Sequence, residues 1–73
     1  MKLPPVLAEK AASFPEVSYG ATKVTLLLAG GREIKNVTLA WGQEIIGIKD
    51  QKVVSESELG FGIDEILDVK PDQ

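Results

Sequence analysis

A short helix followed by a five-stranded, strongly bent antiparallel small barrel is the mainly β fold this sequence predicts. Three observations carry it: an apolar stripe at helical spacing confined to the N-terminal segment, alternating apolar runs separated by short turns, and one slip in that alternation at Asn36. The chain has 73 residues, well short of the length at which a second core forms. Residues 1–73 therefore make a single domain, with the helix at about 5–13 and the barrel at about 22–70.

Leu3, Leu7, Ala11 and Phe14 recur at spacings that place them on one helical face, behind Pro4 and Pro5, whose missing amides suit a first turn. Pro15 stops the helix near Phe14, and Glu16 to Ala21 is a connector. In the first strand, Lys23 to Leu28, the side chains of Val24, Leu26 and Leu28 share one face and Leu27 takes the other. Ala29-Gly30-Gly31-Arg32 then makes a hairpin turn, because glycine tolerates positive φ. In the second strand, Glu33 to Trp41, Ile34 is apolar in one phase and Val37, Leu39 and Trp41 in the other, which predicts a bulge or strong bend near Asn36. Glu44 to Ile48 is the third strand, and Lys49-Asp50-Gln51-Lys52 is a polar turn into a short fourth strand, Val53-Val54. Ser55 to Gly60 is a loop, and Ile63 to Val69 is the last strand, ended by Pro71. The expected core is Val24, Leu26, Leu28, Ile34, Leu39, Ile46, Ile48, Ile63 and Val69.

A composition of 44% hydrophobic and 26% charged residues is that of a folded globular chain. There is neither cysteine nor histidine, so disulfides, thiolate nucleophiles, imidazole bases and the usual zinc ligands are excluded. The expectation is a non-enzymatic protein with no cofactor and no metal; carboxylate-only catalysis is the one enzymatic alternative. A formal charge of −3 gives no long-range attraction for a phosphate backbone, so nucleic acid is a disfavoured partner. No apolar run of signal-peptide or membrane-span length follows Lys2, which predicts a cytoplasmic protein without a membrane partner.

From Gly31-Arg32-Glu33-Ile34-Lys35-Asn36 through Trp41 to Ile45, Ile46 and Ile48, the chain resembles the first signature of the Sm-like family. That family combines an N-terminal helix with a five-stranded Src-homology-like barrel and often assembles as rings that bind RNA. In an ungapped comparison the family's bent-strand glycine is Asn36, its loop aspartate is Gly42 and its base-contacting asparagine is Ile46. Its second signature carries an Arg-Gly pair before the last strand, where this chain reads Leu59-Gly60-Phe61-Gly62-Ile63-Asp64. The resemblance thus implies the small barrel without the family's RNA site.

Gly60-Phe61-Gly62 opens like a phosphate loop, but Glu65 takes the third glycine position, so its glycines are expected only to turn the chain about a buried Phe61. Glu56, Glu58, Asp64, Glu65, Asp68 and Asp72 are opposed by Lys70 alone, making the last quarter acidic and the rest mildly basic. Their spacing is not that of a calcium loop, and they read as a solvated face. Asn36-Val37-Thr38 matches a glycosylation acceptor but lacks the secretory context. Lys23, Lys35, Lys49 and Lys52 with Trp41 and Tyr19 would make a platform for single-stranded nucleic acid only if they converged. Leu27 and Ile45 are expected to face outward by alternation and Trp41 ends the bent strand, so these three are the candidate partner-binding residues. The expected function is a binding or assembly module acting through protein–protein contact, including homo-oligomer formation; the alternative is an Sm-like RNA or single-strand binder.

Overall fold

The computed structural model describes residues 2–41 and 43–72. Helix α1 (Pro5–Ala11) is followed by strands β1 (Ala21–Leu28), β2 (Glu33–Ala40), β3 (Glu44–Ile48), β4 (Gln51–Lys52) and β5 (Ile66–Pro71). Pro5 occupies the first turn of α1, and Pro4 accepts from the amides of Leu7 and Ala8. The helix is shorter than predicted because its exit tightens: Ser13 N donates to Lys10 O and Phe14 N to Ala11 O, both one residue short of helical spacing.

All five strands pair antiparallel in the order β4-β3-β2-β1-β5. The sheet does not close into the expected barrel: β4 and β5 are its two edges. Between them residues 53–65 run through two short 3₁₀ turns, Glu56–Glu58 and Ile63–Glu65, and provide no extended segment to join the edges. Two boundaries move accordingly. The fourth strand is Gln51–Lys52 rather than Val53-Val54, because a two-residue turn at Lys49-Asp50 already reverses the chain, and the last strand starts at Ile66 after the 3₁₀ turn.

Three register breaks bend the sheet. Val24 and Leu26 of β1 face Val37 and Ile34 of β2, so β2 carries an extra residue at Lys35–Asn36, where the alternation slips, and Asn36 has φ 58°. Thr38 and Leu39 face Gly47 and Ile45, which makes Ile46 the extra residue of β3; Leu27 and Leu28 face Asp68 and Ile66, which makes Leu67 that of β5.

Val24, Leu26, Leu28, Val37, Leu39, Ile45, Ile66 and Val69 form the sheet's contribution to one core, joined by Leu3, Leu7 and Ala11 from the N-terminal segment and by Val53, Leu59 and Phe61 from the long loop. Ile34, Ile48 and Ile63 pack only partly buried at its margin. The assignment of Ile46 to the core and Ile45 to the surface is corrected: Ile45 is 1% exposed and Ile46 41%. The bulge at Ile46 is the cause, since an extra residue lets Ile45 and Ile48, three positions apart, both turn toward the core.

Candidate interaction surface

The most open apolar ground lies where the connector before β1 meets the turn after β2. Trp41 leaves β2 with φ 54°, a left-handed conformation that a bulky residue adopts only when its surroundings impose it. Here they do: Trp41 N donates to Gly20 O at 2.8 Å, and the indole lies so close to Gly20 that a Cβ there would sit 3.0 Å from the ring. Gly20 itself has φ 75°. Tyr19 meets the indole edge-on, with ring centroids 5.4 Å apart. Although braced in this way, Trp41 remains 62% exposed and Tyr19 91%.

The indole forms one wall of a groove of about 420 Å³ whose other lining comes from Lys2, Leu3, Gln43, the α1 residues Pro5, Ala8 and Glu9, and Ala12 at the helix's C-cap. The groove is held together by Leu3 N donating to Gln43 O at 2.8 Å. Small side chains on α1 leave the space, and Trp41 walls it. Val17, in the same connector as Tyr19, is also exposed. Trp41 was legible in the sequence as a surface aromatic; the groove, Tyr19 packed against it and Val17 were not, although apolar residues between Pro15 and Gly20 in a connector are the signal that points to them.

Leu27 and Ile45 do not join this surface. Ile45 is buried in the core and offers no contact. Leu27 is half-buried between its cross-strand neighbours Glu33 and Asp68, which are ion-paired to Lys70 and Lys10. The four lysines of the single-strand platform also stay apart from Trp41's groove. Lys23 is spent within the fold, donating to Asn36 Oδ1 at 2.7 Å and Asp50 Oδ1 at 3.2 Å. Phe61 is buried, as its flanking glycines suggested. No group of three or more acidic side chains placed to hold a metal ion occurs among the described residues, and no helix among them is long and apolar enough to cross a membrane. Gly42, at the position of the family's loop aspartate, lies outside the described residues.

The two edges are treated differently from this open ground. Asp72 N donates to Lys23 O at 3.1 Å, and antiparallel alternation then points the amides of Lys70 and Asp68 at β1 and those positions' neighbours away from it. Pro71 has no amide to present, and Val69 N is taken by Asp68 Oδ1 at 2.8 Å. On the opposite edge Val53 N donates to Ile46 O, so the next amide, that of Val54, points outward. It is bound, with the amide of Ser55, by Glu58 Oε1 at 2.9 and 3.0 Å. The Val54 amide, followed by that of Ser55, holds the Glu58 carboxyl below its ordinary range. Asp68 is lowered likewise, first by the hydrogen bond from Lys10 and then by the Val69 amide.

Neither a family model, nor a curated protein, nor a solved structure matches this chain.

Proposed function

We propose that the chain is a non-catalytic, cytoplasmic protein-interaction module of the Sm-like small-barrel class that self-associates through the Tyr19–Trp41 groove. What carries this is Trp41: an indole held in a costly backbone conformation and left mostly in water needs a use for its surface, and burial against protein supplies one. A leading helix, five antiparallel strands and a left-handed Asn36 at the family's glycine position support the class. A second copy is favoured as partner because a chain this short buries only about 60% of its unfolded surface by itself; Lys2 and Glu9 both line the groove, so its charge is balanced and the contact rests on the apolar rings.

Light scattering tests this directly. The expected result is at least twice the monomer mass at tens of micromolar, and return to monomer for Trp41→Ala with unchanged circular dichroism. A monomer at about 100 µM, corresponding to association weaker than roughly 5–6 kcal/mol, excludes self-association. Salt-dependent titration with oligo-U covers the alternative; micromolar binding at physiological salt would replace protein by RNA as the partner.

A further inference from the structure

Two opposite charges line the Tyr19–Trp41 groove, and neither is used within its own chain. Lys2 stands on the segment before α1, and Glu9 stands on the helix four residues beyond Pro5, a rise of about 6 Å. Both side chains are exposed. The ion pairs among the described residues are Lys10–Asp68, Lys23–Asp50 and Lys70–Glu33, so Lys2 and Glu9 pair neither with each other nor with another described side chain. Glu44, which faces Lys2 across an isolated bridge, does not line the groove. Tyr19, the more exposed of the two rings, projects beside the groove without lining it.

We infer that the groove pairs with the same groove of a second copy about a two-fold axis, with Lys2 of each chain against the partner's Glu9. This names the partner surface for the self-association proposed above, and it rests on that reading. A two-fold contact uses one patch on both sides, so the patch must carry both members of every pair it makes. The groove does so. It holds one cation and one anion at separate stations, a recess of about 420 Å³ and, beside that recess, an exposed ring to enter it. An axis passing through the middle of the groove, between the two charges, brings each onto its opposite twice, once on either side of the axis. Such charge complementarity fixes the orientation of the contact, while the apolar rings supply its buried surface. A head-to-tail contact would instead set the groove against a different surface and leave a groove open for the next copy. In the two-fold pair both grooves are filled, and assembly stops at two.

The test is charge reversal in the full chain, Lys2→Glu and Glu9→Lys, with mass followed by light scattering at low ionic strength, where exposed pairs are least screened. Either variant alone sets like charges together at both contacts, and its dissociation constant should rise about tenfold over wild type. Mixed in equal amounts, the two variants are complementary at both contacts, and the mixture should regain wild-type association. A single chain carrying both reversals should regain it as well, with the net charge of wild type. Every associating sample should level off at twice the monomer mass. With circular dichroism intact throughout, single variants as tight as wild type overturn the two-fold pairing. So does the absence of regain in the mixture and the doubly reversed chain, and so does mass that climbs past the dimer. In each of these cases the groove reading stands as long as wild type associates and Trp41→Ala does not. A monomeric wild type, or a Trp41→Ala chain that associates as strongly as wild type, overturns the groove reading and the two-fold pairing together.

Discussion

The open end of the molecule and its sheet edges handle unsatisfied surface in opposite ways. At the Tyr19–Trp41 end the unmet groups are apolar: two aromatic rings and Val17 stand in water, on a backbone braced to hold them there. Along β5 and in the loop after β4 the groups are polar amides, and carboxylates of the same chain bind them. The contrast teaches where a small sheet can afford a sticky surface. A strand edge accepts almost any extended chain, whereas a shaped groove selects its occupant, so closing edges while leaving a groove favours a defined contact over aggregation.

The largest effect is expected from Ile45→Ala, which separates core from surface on one strand. It should cost about 2–5 kcal/mol in urea unfolding, while Ile46→Ala one position on should stay within about 0.5 kcal/mol. Equal costs would undo the bulge assigned to β3. Next comes Gly20→Ala, which places a methyl against the indole on a left-handed backbone. A loss of about 1–3 kcal/mol is expected, together with a shift in the emission of the single tryptophan; a variant as stable as wild type would show that Trp41 is not braced by Gly20.

The edges are probed by pH. Folded Asp68 and Glu58 ionise below their ordinary range, so the unfolded chain binds more protons as the solution is acidified. Their contribution is fully present above the ordinary carboxylate range and is lost as pH falls through it and below. Urea midpoints measured from neutral to acid should therefore fall less steeply in Glu58→Ala with Asp68→Ala than in wild type. Identical slopes would mean that the edge amides do not favour the charged carboxylates. The smallest effect is expected from Trp41→Ala on stability, within about 0.5 kcal/mol in either direction, because the ring is mostly in water and alanine keeps the Cβ on which the left-handed strain depends; a cost of core size would make Trp41 a packing residue.

Helix, strand number, antiparallel pairing and the bulge at Asn36 were legible because each rests on local pattern: a proline-led apolar stripe, period-two alternation, and a phase slip within one strand. The second bulge was not, since Glu44-Ile45-Ile46-Gly47-Ile48 contains isoleucines in both phases and alternation alone assigns the wrong one to the core. Barrel closure was misread for a related reason. Val53-Val54 has strand composition, yet only Val53 is buried and the pair follows β4 instead of forming it. At the candidate site Trp41 was visible as a surface aromatic. Its groove depends on α1 lying across the turn after β2, a long-range approach that no window of sequence contains; alternation set Leu27 on the face opposite Leu26 and Leu28, and the ion-paired neighbours that half-cover it come from β2 and β5.

The turn between β3 and β4 has a kinetic consequence. Lys49 and Asp50 have φ of 53° and 67°, the twin left-handed geometry that Asn-Gly adopts readily and lysine resists. Lys49 N donates to Asn36 O at 2.9 Å and Lys23 reaches Asp50 from β1, so the support for this hairpin comes from strands distant in sequence. The hairpin is therefore expected to form late, after β1 and β2 have met. Replacing Lys49-Asp50 by Asn-Gly should make it locally self-sufficient and shift its formation ahead of the rest, which would be read as faster refolding with little change in the rate of unfolding.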